Sequence, residues 1–229
     1  MKNNNGNSDN GSISHNNDDD GEDYALLPYC NLFLDNVIDA LNTMALNDFA
    51  RFRALATPLA MHVLFDLCNA YLSMHLDKDH VHGDVKPGNV GFYCGHWCLI
   101  DMDCAKTVGA AVKEFSGTIA FSHPSTIRDR DNTSLPWSDL FALGEILHLL
   151  FHPAEYGIHT NKELMAQKDA AYRAALQKKY TENNTAANHV SLTQLIQAAS
   201  TAEDKIKIIA TRLKEPLATD QADLLNQLI

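Results

Sequence analysis

HVHGDVKPGNVGFYCGHWCLIDMD, residues 80–103, is the stretch on which the fold turns. Asp84, Lys86 and Asn89 lie within six residues of one another, and Pro87 and Gly88 between them force an irregular backbone. Val90–Tyr93 and Trp97–Asp101 read as two short strands, joined at Cys94, Gly95 and His96 by a tight hairpin turn. A hairpin brings the ends of its strands together, so Asn89 and Asp101 are expected to be neighbours able to share a hard cation through oxygen ligands. Two carboxylates, a carboxamide and an ammonium that converge in this way suit phosphoryl transfer, where a protein mainly positions groups and neutralises charge on phosphate oxygens. Asp84 is the candidate acceptor of the proton of an attacking hydroxyl, Lys86 the candidate contact to the transferred phosphate, and Asn89 with Asp101 the candidate Mg²⁺ ligands. Singly, each is an ordinary turn former, so the reading rests on the combination.

Outward from this stretch the pattern is mostly helical, which makes the expected class α+β, mainly α. Leu34 to Met44 has apolar residues at helical spacing, and Pro58 to Leu76 gives a longer, more apolar helix expected at the centre of the fold. Lys106 to Thr133 is polar and rich in Gly, Ser, Thr and Asp, too long for a mere connector and so expected to serve function. From Ser138, residues Leu140, Leu143, Ile146, Leu147, Leu150 and Phe151 share a helical face, and further helices are expected near 161–180, 191–199, 202–213 and 219–228. Upstream, Tyr24 to Leu27 is a short apolar run stopped by Pro28, read as a strand leaving a sheet.

Residues 1–23 are almost entirely Asn, Asp, Ser and Gly, with six acids against Lys2, and are expected to be disordered because they bury too little to offset ordering entropy. That segment holds −5 of the formal charge of −11, leaving −6 for residues 24–229, which are expected to form one domain. The acidic balance argues against nucleic acid or an anionic membrane as partner. No apolar run approaches the roughly 18 residues that span a bilayer, and no leader pattern is present, so a cytoplasmic protein is expected. The five cysteines do not suggest a disulfide framework, and the spacing of Cys94, Cys98 and Cys104 does not match a zinc knuckle.

Val81–Val90 (VHGDVKPGNV) closely resembles the catalytic loop H-R-D-x-K-P-x-N of the eukaryotic-type protein kinases, and Leu99–Asp103 (LIDMD) follows at the interval of their D-F-G metal-binding segment. Ser116–Ser125 (SGTIAFSHPS) is similar to the end of their activation segment, and Ser138–Leu147 (SDLFALGEIL) to the helix that supports the catalytic loop. Tyr24–Leu32 (YALLPYCNL) looks like the strand and hinge that receive adenine. The resemblance implies the large, C-terminal lobe of a kinase with a short β-hairpin: hinge strand 24–32, catalytic and metal loops 80–103, activation segment 104–125 and helical subdomain 138–229. It further implies ATP and Mg²⁺ as cofactors, with the Pro28 carbonyl, the Cys30 amide, Lys86 and Gly91 around the nucleotide. Thr118 points to the serine/threonine branch, and Asp139 is implied to accept backbone hydrogen bonds from the loop around His82 and Gly83.

The departures from the family pattern shape the expectation. No glycine-rich loop, strand lysine or partner glutamate precedes Tyr24, so the small lobe is expected to be largely absent and the chain by itself weak or inactive. Gly83 stands where the family has an arginine, Met102 and Asp103 replace Phe and Gly, Gly91 falls where a leucine underlies adenine, and Ser125 replaces a glutamate. Asp103 is expected to be solvated. Three functions follow: a serine/threonine kinase-like phosphotransferase acting on a protein, its small lobe supplied by a partner chain; an inactive scaffold or binding module, with apolar surface exposed near Leu26–Leu32; or a small-molecule phosphotransferase, since HGD and PGN are also similar to the aminoglycoside and choline enzymes.

Overall fold

The computed structural model describes residues 29–112, 116–123, 132–157 and 192–214. The expected strand at 24–27, Pro28, Ser125, the disordered segment 1–23 and the helices near 161–180 and 219–228 lie outside the described residues.

Helix α1 (Leu34–Asn47) buries Leu34, Ile38 and Leu41, one stripe at helical spacing. It stops at Asp48, whose backbone leaves the helical region and whose carboxylate accepts from the Arg51 amide at 3.0 Å, capping the next helix. Helix α2 (Phe49–Tyr71) therefore begins well before Pro58, the expected start. Pro58 lies inside it, where it has no N–H for the carbonyl one turn back. The helix persists because Phe52, Ala56, Ala60, Val63, Leu67 and Tyr71 form a single buried stripe running past the proline. Tertiary packing of that stripe outweighs the local break. A π-helical turn, Leu72–Asp77, continues the chain.

The most enclosed helix is α3 (Trp137–Phe151), in which every residue from Asp139 to Leu147 is buried. The helix expected at the centre, α2, packs against α1, α3 and the β-hairpin. Of the two, α3 is the more enclosed, contacted by α1, α2 and the C-terminal helix α5 (Ala202–Leu213), on which α4 (Leu192–Ala198) in turn packs. Gly144 permits the closest approach: a Cβ there would stand 2.7 Å from Lys214 Cγ and 2.8 Å from the Ala210 carbonyl oxygen. Helix α5 starts on Thr201, whose hydroxyl accepts from the Asp204 amide at 3.0 Å. α2 and its π-helical extension, Phe49–Asp77, are long and apolar enough by composition to cross a membrane, with mean hydropathy 1.2. The same apolar stripe is what packs against α1, α3 and the hairpin.

The strands form three antiparallel pairs among the described residues: β1 (His80–Val81) with β4 (Lys106–Thr107), β2 (Val90–Tyr93) with β3 (His96–Leu99), and β5 (Ala111–Val112) with β6 (Asn132–Thr133). The β2–β3 hairpin turns on two residues rather than the expected three. Cys94 and Gly95 both have positive φ, 49° and 88°, the geometry whose twist matches the flanking strands. Tyr93 consequently pairs with His96 and Val90 with Leu99, and β3 ends before Ile100 and Asp101. The polar stretch 106–133 is organised at its start by β4 and β5 and contains a 3₁₀ turn at Ile119–Phe121.

His123 follows that turn and is buried edge-on between Trp137 and Phe141, with ring centroids 4.6 and 5.2 Å away. Burial pushes its imidazole down to about 4. Between its ordinary value and that depressed one, the unfolded chain takes up a proton that the folded chain refuses. Its contribution is therefore fully present above about pH 6.5 and declines as pH falls toward 4, by at most roughly 3 kcal/mol. Urea unfolding at pH 7 and pH 5 should show a steeper loss of stability in the wild type than in His123→Phe. Equal losses would show that this imidazole titrates normally.

Candidate active site

The site is assembled on the buried carboxylate of Asp139, in the first turn of α3. Its Oδ2 accepts from the His82 amide at 2.8 Å and stands 2.9 Å from His75 Nε2, while Oδ1 accepts from the Gly83 amide at 3.0 Å. The Tyr71 hydroxyl donates to the Asp139 carbonyl at 3.0 Å, and the Tyr71 and His75 rings stack with centroids 5.0 Å apart. Burial, the Asp139 charge and Cys68 together hold the Tyr71 phenol well above its usual range, so it stays a donor. His75 lies in the π-helical turn after α2, a distortion that often accompanies functional sites. Neither Tyr71 nor His75 was an expected site residue. No local sequence signal marks them: His75 is one of several polar residues, with His62, Asp66 and Asn69, in the same helical stretch.

Asp139 thereby fixes the backbone of the loop at 82–84. Gly83 has φ +80°, and a Cβ there would stand 2.9 Å from the Cys104 carbonyl oxygen. Both the left-handed backbone and the close approach exclude a larger side chain, which accounts locally for glycine where the kinase pattern has arginine. The imidazole of His82 is fully buried and bridges in two directions. Nδ1 accepts from the Asp84 amide at 3.3 Å, which leaves Nε2 to donate to the Ile100 carbonyl at 3.0 Å. The catalytic-loop candidate is thus tied to the residue preceding Asp101.

The polar groups meet above this base. Lys86 Nζ donates to Asp84 Oδ2 at 2.7 Å and to Thr118 Oγ1 at 3.3 Å. The Asn89 amide nitrogen donates to the Asp84 carbonyl at 2.9 Å and to Asp84 Oδ2 at 3.2 Å, which leaves the Asn89 amide oxygen as an acceptor. Asp84 Oδ1 is buried with no hydrogen-bond partner among the described residues. Its desolvation goes uncompensated by any donor among the described residues.

The hairpin brings Ile100, the residue before Asp101, against Asn89, the Ile100 amide donating to the Asn89 carbonyl at 3.0 Å, while the Asp101 carboxylate makes no hydrogen bond to Asp84, Lys86 or Asn89. The φ of 64° and ψ of 75° at Asp101 are left-handed, a conformation that aspartate tolerates better than most residues, and its carboxylate is exposed. The all-oxygen donor set of Asn89 and Asp101 fits a hard cation such as Mg²⁺. Asp103 and Met102 are exposed on the following 3₁₀ turn. Lys106 Nζ donates to Ser116 Oγ at 2.8 Å, closing the segment that carries Thr118 back onto the loop.

Among the remaining expected site residues, Cys30 and Gly91 touch each other. A Cβ on Gly91 would stand 2.7 Å from Cys30 Sγ, so the buried thiol occupies the space that a larger residue at 91 would fill. Residues 30–33 run against β2, with the Phe92 amide donating to the Leu32 carbonyl at 2.8 Å and Phe33 bridged to Gly91. Tyr29 and Leu32 are exposed at this edge. Between Asp84, Lys106, Thr118 and Asp139 lies a cavity of about 60 Å³, room for ordered water and far below the roughly 300 Å³ at which small-molecule pockets begin.

No protein-family model matches the chain. No curated protein matches it either. Among solved structures it is similar to the kinase PK-1 of Cydia pomonella granulovirus, at 21% identity over 41% of this chain and 34% of that one, TM-score 0.37. It is also similar to a rhoptry antigen kinase domain of Toxoplasma gondii, at 18% identity over 55% and 38%, TM-score 0.46. A third likeness is to the yeast RNA polymerase II CTD kinase CTDK-1 complex, at 18% identity over the same shares, TM-score 0.42. The likeness is to a kinase fold over about half of this chain, and the chain spans little more than a third of each of those proteins.

Proposed function

We propose that the chain carries the phosphoryl-transfer half of a protein-kinase-like enzyme, with Mg-ATP as donor and a protein serine or threonine hydroxyl as acceptor. The observation that carries this reading is the unpartnered, buried Asp84 Oδ1 beside Lys86 and Asn89. In this reading Asp84 Oδ1 accepts the proton of the attacking hydroxyl. Lys86, held between Asp84 and Thr118, presents its ammonium to the phosphate being transferred. Asn89 and Asp101 would hold the Mg²⁺, which supplies neutralisation of phosphate charge when bound. The contact from Lys86 to Thr118 places the 116–123 segment next to the base, favouring a chain-like acceptor over a small molecule. Pro28, Cys30 and Gly91 are assigned to the adenine edge, and a partner chain is proposed to complete the nucleotide site.

The test is Mg²⁺-dependent binding of ATP followed by transfer of radioactive phosphate to generic protein substrates, with Asp101→Ala as control. Mg-ATP at 100 times its Kd should stabilise the wild type by about 2.7 kcal/mol. Asp101→Ala should lose that gain together with transfer. Equal behaviour of the two proteins removes the enzymatic assignment, and absence of any Mg-ATP shift favours the scaffold or binding-module reading, for which exposed Tyr29 and Leu32 supply an apolar edge.

A further inference from the structure

His62 and Asp66 on α2 and His96 at the start of β3 meet at the turn end of the hairpin, through contacts distinct from those around Asp84. Asp66 is buried, 7% exposed, and its two oxygens face different histidines. Oδ2 lies 3.0 Å from His62 Nε2 and Oδ1 lies 3.1 Å from His96 Nδ1, and one ligand atom from each of the three residues falls within 4.8 Å of the others. The residues at 62 and 66 are one helical turn apart, the i, i+4 spacing that puts two ligands on one face. The third arrives from the opposing hairpin, so the group joins two elements.

We propose that His62, Asp66 and His96 form a binding site for a divalent transition metal of the zinc class, with solvent completing the coordination. The chemistry matches: two imidazoles and one carboxylate are a borderline N/O set that zinc accepts, whereas Mg²⁺ and Ca²⁺ demand oxygen. The distances come near as well. Ligands about 2.0–2.1 Å from a tetrahedral ion are separated by roughly 3.3 Å. Each histidine nitrogen lies near that distance from one oxygen of Asp66, but from different oxygens, so one ion would be bridged by both oxygens or draw the rings toward a single one.

Supporting contacts also fit a metal centre. Asp66 Oδ2 accepts from the Trp97 amide at 2.7 Å, which orients the carboxylate from behind as metal-ligating carboxylates are commonly held. His62 packs edge-on against Phe92 and His96, which limits its ring rotation. His62 and His96 are open to solvent, so an ion can enter and a water can occupy the fourth position. No cysteine takes part. The bound ion would clamp the hairpin turn onto α2, at the end of the hairpin opposite Asn89.

The experiment uses full-length, tag-free chain and two probes, Zn²⁺ by calorimetry and Co²⁺ by visible absorption. Zn²⁺ should bind with one-to-one stoichiometry, and Co²⁺ should give the intense d–d bands of a four-coordinate site, displaced by added Zn²⁺. His96→Ala removes an exposed ligand without disturbing the core, and should weaken both by about tenfold or more, a loss of about 1.4 kcal/mol or greater. His62→Ala should do the same, while Asp101→Ala should leave both unchanged. Failure of wild-type chain to bind Zn²⁺ stoichiometrically, or equal binding by His96→Ala, would overturn the assignment and leave a plain hydrogen-bonded triad.

Discussion

Asp139→Ala should lower the stability of the chain by about 3–5 kcal/mol, a large part of the 5–15 kcal/mol that holds a typical domain folded. The cost is large because three donors converge on one buried carboxylate. The amides of His82 and Gly83 and the ring of His75 all face it, and its removal strands them away from water. Asp139→Asn separates charge from shape. An amide oxygen placed at Oδ2 keeps the His82 and His75 contacts, but then sets an NH₂ against the Gly83 N–H, so a loss of about 2 kcal/mol is expected. Urea denaturation gives both values, with the midpoint falling and the slope unchanged if only native-state contacts are lost. A loss below about 1 kcal/mol for the alanine variant would mean that water replaces the carboxylate and that the loop does not depend on it.

How much of this was legible in the sequence differs between local and long-range features. The β2–β3 hairpin was readable because two short apolar runs flank a turn, although its second strand ends at Leu99, so pairing brings Ile100 rather than Asp101 against Asn89. The turn itself was misjudged by one residue, since Cys94 takes a positive φ that no propensity assigns to cysteine. The start of α2 was missed because Pro58 reads as a first-turn residue; the cap at Asp48 and the buried stripe from Phe52 to Tyr71 override it. The helix at 137–151 was legible from its period, whereas its enclosure was not, because burial on all faces shows only in the assembled core.

The polar interior was the least legible part. The bond from His82 and Gly83 to Asp139 crosses 56–57 residues, and only the kinase resemblance suggested it. Nothing local announced that His75 and Tyr71 hold the same aspartate from the other side, because the π-helical turn that aims His75 inward leaves no compositional trace. The histidine and aspartate group at 62, 66 and 96 was hidden for a related reason. Its two helical members have the right spacing, but the third comes from a strand whose register had to be known first.

Asp84→Asn should separate function from fold. Under the proposed reading the substitution lowers the phosphoryl-transfer rate by about 10²–10⁴, because an amide in place of Oδ1 cannot accept the hydroxyl proton. The effect on stability should be small and of either sign. Asp84 Oδ1 is buried without a partner, so the carboxylate already bears a desolvation cost that a neutral amide lessens. Against this, Lys86 loses its charged partner at 2.7 Å, but its ammonium is partly exposed and keeps Thr118. A net change within about 1 kcal/mol is therefore expected. Lys86→Ala provides the contrast, reducing transfer while leaving Asp84 bonded to Asn89. The measurements are initial rates under saturating Mg-ATP alongside urea midpoints for each variant. An Asp84→Asn chain that transfers phosphate as fast as wild type would remove the aspartate from the reaction. A variant that instead unfolds several kcal/mol more easily would make this carboxylate a brace for the loop, and its empty oxygen a consequence of packing rather than a place kept for substrate.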